Sequence, residues 1–428
     1  MSARLWLAGL ALATLSDLRA ALAPEEKAIA DWLAGQKEAM ISLVEKTVKI
    51  DSPSENVAGV RAHADVLAEE LRAIGLEPRW VPLPEDSKRA GHLFAERKGS
   101  KGKRLLLIGH LDTVLRGGKF TRDGDTGRGS GTSDMKGGNV VIVYALKALQ
   151  ATGALDNTQV VVAFTGDEES LADDVALTRR ELIATAKRTD IALAFEGARS
   201  GEATTARRGS SYWKLEVSGP TGHSSGIFSN AMGSGAVYEA ARIIEGFHTE
   251  LRKLPGLTAN VSVIAGGAEV TEKGFAVIGE GKGNIIPAKA IAKGDLRAVS
   301  PEQIKEAEAT MRAVVAKNRP RTQPTIVFHH RYPPMAAEPR HLAVLASYSA
   351  VSVDLGQGEV KGNDPAQRGA GDSAFVAPYC AVLDGLGPYG TGAHAERETL
   401  NLNSLVPQAT RAAILIYRLT RQKSRAGL

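Results

Sequence analysis

Between Arg104 and Gly197 short apolar runs alternate with longer stretches of helical periodicity, and this alternation constrains the fold more than any other feature of the chain. Residues 104–109, 159–165 and 191–195 are apolar runs of strand length, and 139–152 and 174–186 are the helical stretches between them. Strands that alternate with helices are joined by right-handed crossovers, which make a largely parallel sheet with helices on its faces. The expected fold class is therefore α/β. In such sheets ligands sit at the carboxyl ends of the strands, so the residues that close each apolar run are the ones to examine.

Those residues are polar and of one chemical kind. The first run ends in Gly109-His110-Leu111-Asp112-Thr113-Val114, with His110 and Asp112 two positions apart and so on one side of an extended chain. A glycine-rich loop then leads to Thr132-Ser133-Asp134-Met135-Lys136-Gly137-Gly138. The second run ends in Gly166-Asp167-Glu168-Glu169, the third in Glu196-Gly197, and a late loop, Gly390-Thr391-Gly392-Ala393-His394-Ala395, supplies another imidazole. Each motif alone has a bland reading, a capped strand end or a solvated turn. Together, two histidines and several carboxylates at one rim of a sheet suit divalent metals, Zn²⁺ first. If one carboxylate bridges, the set serves two metals. Adjacent acids such as Glu168 and Glu169 divide the labour, one binding metal and the other moving a proton.

The remaining chain frames this unit. At 428 residues it exceeds one ordinary core. Residues 25–50 and 57–74 read as helices, and strands are expected near 78–82 and 92–97. After Arg208 the pattern changes: 212–217 alternates in period two, 231–248 and 301–318 are helical, and strand-like pieces lie at 259–265, 275–278 and 290–296. This predicts an α+β insertion over 207–320, splitting a catalytic domain into 24–206 and 321–428, with the α/β alternation resuming at Thr325. At the N-terminus, Arg4 and the apolar run 5–15 precede Ala21-Leu22-Ala23-Pro24, which reads as an export signal spanning 1–23. The expected location is periplasmic or secreted, or cytoplasmic if the segment is an amphipathic helix instead. No other stretch is apolar for long enough to span a membrane. The net charge of +5 is modest; Arg179-Arg180, Lys187-Arg188 and Arg207-Arg208 read as solvated faces, and nucleic-acid binding is not expected. Cys380, the one cysteine, reads as a small buried hydrophobe. His63, His92, His248, His329, His330 and His341 read as structural.

Taken in order, these motifs resemble those of the M20 family of co-catalytic zinc metallopeptidases and amidohydrolases, over essentially residues 25–425. The resemblance implies two Zn²⁺ per subunit, with Co²⁺ or Mn²⁺ as substitutes. His110 and Glu196 would hold one ion, Glu169 and His394 the other, and Asp134 would bridge them. Asp112 would hydrogen-bond His110 and fix its tautomer, Glu168 would be the general base, and the Asp134–Met135 peptide would be cis. The inserted unit resembles the family's lid and dimerisation domain. Within it His223, in Gly219-Pro220-Thr221-Gly222-His223-Ser224-Ser225, would reach a substrate carbonyl oxygen, in many members from the partner subunit of a homodimer. Asn284 and Arg297 fit substrate-binding positions, Arg297 as a bidentate carboxylate partner, and backbone amides near Gly371 would hold the same carboxylate.

The resemblance implies hydrolysis of a C-terminal amide bond in a small peptide or N-acyl amino acid. The Asp-Met-Lys-Gly-Gly and Gly-Leu-Gly-Pro segments look like glutamate-carboxypeptidase-like members. Glu196 departs from them, since those members often carry Asp there and Glu is more typical of aminoacylases and desuccinylases. Amidohydrolase and aminopeptidase activities therefore stay open beside the carboxypeptidase reading. A non-catalytic dimeric binding protein on the same fold is the remote alternative.

Overall fold

The computed structural model describes residues 22–424. The export-signal reading falls mainly on residues 1–21, outside the described residues. Six strands form the main sheet, in the spatial order Glu77–Pro82, Gly91–Arg97, Thr158–Thr165, Lys101–His110, Ile191–Ala194 and Ala381–Leu383. The last four are mutually parallel. The first two add an antiparallel edge, so the sheet is mixed, with the His110 strand inside its parallel part and covered on both faces.

Burial on both faces explains the unbroken apolar run before His110. Leu105 and Leu107 pack into one core with the helices Pro24–Ala34, Lys37–Val48, Val57–Arg72, Gly137–Ala151 and Leu405–Leu419, while Leu106 and Ile108 face the opposite layer with Leu182, Ala186 and Val376. The helix Gly137–Ala151 is buried on almost every side. The expected helix over 25–50 is two helices, broken at Gly35-Gln36, where glycine's poor helix propensity and a non-helical Gln36 interrupt the run.

A second sheet of four antiparallel strands, ordered Thr258–Gly267, Lys289–Arg297, Ser210–Ser218 and Gln323–Tyr332, packs on the helices Gly235–Leu251 and Pro301–Ala316. Its strand Ser210–Ser218 buries Trp213, Leu215 and Val217, which is the alternation read from the sequence. One expectation is corrected. The strand at Thr325 does not return to the main sheet; Gln323–Tyr332 pairs along its length with Ser210–Ser218. The α/β pattern resumes only after Tyr332, with the helix Pro339–Asp354. A strand resumes a sheet only through its hydrogen-bond partner, and the local apolar pattern does not name that partner.

The glycine-rich stretch after His110 is not wholly loop. Thr121–Asp123 and Thr126–Arg128 form a hairpin that pairs with Thr399–Asn401, which in turn pairs with Gly390–Thr391. This small sheet ties the Asp134 loop to the His394 loop. Among the described residues, no helix is long and apolar enough to cross a membrane.

Candidate active site

His110 closes the central strand and is 1% exposed. Its Nδ1 lies 3.0 Å from the backbone carbonyl oxygen of Asp112 and 3.5 Å from that residue's Oδ1. The carbonyl is the closer acceptor, so it holds the Nδ1 proton and turns Nε2 toward Asp134. The Asp112 carboxylate is directed elsewhere. It accepts hydrogen bonds from Ser54 Oγ (2.6 Å), Glu168 N (3.1 Å) and Glu169 N (3.0 Å). Asp112 thus orients both the imidazole and the two-glutamate turn.

Asp134 lies between the two histidines. Its Oδ1 is 3.2 Å from His110 Nε2 and its Oδ2 is 3.1 Å from His394 Nε2. Glu196 Oε1 approaches His110 Nε2 at 3.7 Å, and Glu169 Oε2 approaches His394 Nε2 at 3.1 Å. Ligand atoms of His110, Asp134 and Glu196 all lie within 4.8 Å of one another, as do those of Asp134, Glu169 and His394. A third such group, His110, Glu168 and Glu169, brings Glu168 to the same place. Six of the seven metal and catalytic residues named from the sequence therefore converge directly, with Asp112 immediately behind them.

Local structure explains the convergence. The Asp134–Met135 peptide is cis. Gly131 enters that turn at φ 76°, a conformation that suits glycine. The Glu398 carboxylate accepts from Gly131 N (2.7 Å), Ser133 N (2.8 Å) and Asp134 N (3.0 Å), fixing the loop from below. His394 sits at φ 63°, uncommon for a residue with a side chain. A Cβ on Gly109 would lie 2.2 Å from Asn139 Oδ1, so glycine there admits the helix start, from which Asn139 Nδ2 donates to His110 O at 2.7 Å.

Crowding of acids shapes the electrostatics. Burial, helped by the charge of Asp134, pushes the Glu196 carboxyl up to about 8, and burial with Asp134's charge brings Glu169 to about 7 against the pull of His394. Burial raises Glu168 well above the carboxylate range, with His110 opposing and Glu196 and Glu169 adding to the rise. Burial also acts to raise Asp134, but the hydrogen bonds from His110 and His394 outweigh it and hold its carboxyl well below the usual range. Hydrogen bonds to Asp134 and Glu169 lift His394 to about 11. Glu169 Oε1 is buried without a hydrogen-bond partner. Four carboxylates, two imidazoles and an orphaned carboxylate oxygen fit cation binding, and the mixed N/O donor set suits zinc.

These groups open into a cavity of about 630 Å³ whose lining also includes Ser210, Arg297, Tyr332 and Arg368. Arg297 is paired with Asp295 at 3.0 Å. The other three residues named for substrate do not line the cavity. Gly371 lies behind its lining neighbours Gly369 and Ala370, against Arg207. His223 and Asn284 are exposed and adjacent, with Ser224 N donating to Asn284 O at 2.9 Å. Two arginines read as solvated are corrected. Arg207 is 3% exposed, lines the cavity and pairs with Asp384 at 2.6 Å; Arg179 is 0% exposed and pairs with Asp167 and Asp372. Asp167 and Asp384 follow main-sheet strands and Asp372 is the N-cap residue of the short helix Ser373–Val376; these buried carboxylates demand a counter-charge that sequence spacing does not disclose. Glu398 and Tyr332 were also missed, since neither carries a distinctive local motif.

A model of peptidase family M20/M25/M40 matches residues 106–418. The chain is 27% identical over 400 residues to carboxypeptidase G2 of Pseudomonas sp. (strain RS-16), covering 90% of each protein. It is 25% identical over 401 residues to succinyl-diaminopimelate desuccinylase of Cupriavidus necator, covering 86% of this chain and 96% of that one. Among solved structures, aminopeptidase PepT of Bacillus cereus superposes with a TM-score of 0.72 at 16% identity, over 90% of this chain and 98% of that one.

Proposed function

This chain belongs to peptidase family M20/M25/M40 and is a metal-dependent hydrolase of that family; we propose that it holds two zinc ions per subunit and cleaves a C-terminal amide bond beside a free carboxylate. His110 and Glu196 would hold one ion and Glu169 and His394 the other, with Asp134 contributing to both groups. The observation that carries this reading is the division of Asp134's two oxygens between His110 (3.2 Å) and His394 (3.1 Å). Two ions so held supply an activated water near neutral pH and polarise the scissile carbonyl.

The chain's own groups do the rest. Glu168 takes the water's proton and returns it to the leaving nitrogen, from its place beside His110 and Glu169 in the ligand cluster. Asp112 holds the turn so that Glu169 faces the ligand cluster while Glu168 remains for proton transfer. Arg297, on the cavity wall, binds the substrate carboxylate. His223 and Asn284, exposed and away from this cavity, serve the cavity of a second copy in a homodimer.

Similarity to carboxypeptidase G2 over 90% of both chains supports the carboxypeptidase reading. The second reading, hydrolysis of an N-acyl amino acid, is favoured by Glu196 and by the similarity to a succinyl-diaminopimelate desuccinylase. Matched N-blocked and C-blocked dipeptides separate peptide specificities: the carboxypeptidase reading expects cleavage of the N-blocked one, and cleavage only of the C-blocked one sinks it. Replacing Glu168 by Gln tests the mechanism, with hydrolysis lost while bound metal is retained.

A further inference from the structure

We propose that Tyr332 is a positioning residue that fixes the direction of the Glu168 carboxylate, and thereby makes alignment of the proton-transfer group depend on where the inserted sheet sits. The strand Gln323–Tyr332 is the edge of that sheet, yet its last residue reaches the two-glutamate turn and the one before it holds the segment that follows the turn. The Arg331 guanidinium donates to the carbonyl of Ala172 at 3.2 Å and to that of Leu171, and the Tyr332 hydroxyl donates to the backbone carbonyl of Glu168. On the other side of the same residue, Glu168 N donates to Asp112 Oδ1 at 3.1 Å.

The peptide groups before and after the Glu168 Cα are therefore both pinned: Asp112 holds the first, and the second is held on its N–H by Asp112 at 3.0 Å and on its carbonyl by Tyr332 from the inserted sheet. With both peptide planes fixed, only side-chain rotation is left to the carboxylate, and that rotation occurs among staggered wells set by the backbone. The Tyr332 ring is itself held, 5.3 Å from the Phe375 ring, which has the Arg179 guanidinium over it at 5.4 Å. Tyr332 also lines the active-site cavity. Misplacement of a reacting group by about 1 Å can cost on the order of 100-fold in rate, so a hydroxyl that fixes the base's backbone has leverage on turnover without touching metal ligands.

The inference rests on Glu168 acting as the base. The test is Tyr332→Phe, which keeps the ring against Phe375 and removes only the hydroxyl, measured in the metal-loaded full chain on whichever of the N-blocked and C-blocked dipeptides is cleaved faster. The expected result is a fall in kcat of about tenfold or more with KM within about twofold, unchanged metal content, and a markedly smaller fall when the same change is made in a Glu168→Asp background, whose shorter carboxylate is already displaced. Unchanged kcat overturns the proposal. So does a rise in KM alone, which makes Tyr332 a substrate contact, or an equal fall in both backgrounds, which makes it act independently of Glu168. If Glu168→Gln itself turns over at the wild-type rate, the base assignment fails first; if Glu168→Gln is inactive while Tyr332→Phe is fully active, only the positioning role fails.

Discussion

Glu398 Oε1 lies 3.0 Å from the backbone nitrogen of Asp134 and 2.8 Å from that of Ser133, so a carboxylate outside the ligand set holds the loop that carries the bridging acid. Its other oxygen accepts from Gly131 N at 2.7 Å. Replacing Glu398 by Ala orphans three buried N–H groups at once. Zinc affinity should fall by about 10- to 100-fold, as for other groups that orient ligands, with the fold retained. Competition titration against a chromophoric chelator measures it; affinity equal to wild type would show that the loop needs no such support.

Arg179 is fully buried between Asp167 and Asp372, and Thr165 Oγ1 also donates to Asp372, at 2.5 Å. Arg179→Met leaves two buried carboxylates without their cation. Removing one partner of such a pair costs about 3–5 kcal/mol. Chemical denaturation should show a loss of that size, and Asp167→Asn combined with Asp372→Asn in the same background should recover part of it. A loss below about 1 kcal/mol would place Arg179 among the exposed ion pairs.

Metal uptake should be coupled to proton release. Without metal, His394 is lifted to about 11, Glu196 to about 8 and Glu169 to about 7, so at pH 7 these groups carry protons that ligation must displace. The sign follows: zinc affinity rises with pH between about 6 and 9 and falls as acid restores the protons. Calorimetry at pH 7 in buffers of different ionisation enthalpy should report release of about two to three protons per chain. Affinity independent of pH over this range would contradict the electrostatics of the site.

His223 is exposed and outside the cavity lined by Glu168 and Arg297. If it serves a second copy, His223→Ala and Glu168→Gln are complementary defects. Each variant alone should be inactive, and a mixture unfolded and refolded together should regain roughly a quarter of wild-type activity, the yield of random pairing in a twofold dimer. A mixture as inactive as its components, or sedimentation as a monomer at micromolar concentration, would remove His223 from the mechanism.

The candidate metal centre was readable because each of its residues follows an apolar strand or lies in a glycine-rich loop, and strand ends of an α/β sheet converge by topology. Burial on both faces made those strands continuous runs, and the alternation at Trp213, Leu215 and Val217 marked the half-buried second sheet. What local pattern does not encode is partnership. Gln323–Tyr332 has the composition of a strand for either sheet, and only its pairing with Ser210–Ser218 decides. Arg179 and Arg207 look like surface arginines until Asp167, Asp372 and Asp384 arrive from elsewhere in the chain. Glu398 and Tyr332 act through backbone groups, which leave no residue-type signature on the partner. Asp112 was identified, but the closer acceptor for His110 is its carbonyl, a contact any residue at that position could make.

Zinc stoichiometry tests most directly whether Asp134 joins two cation sites. Metal-stripped protein titrated with zinc, with bound metal read by elemental analysis and hydrolysis followed in parallel, should take up two equivalents per chain and reach full activity only near the second. The Asp134→Ala variant should lose high-affinity binding of both. Saturation of binding and activity at one equivalent, or two equivalents retained tightly by Asp134→Ala, would contradict a shared bridging carboxylate.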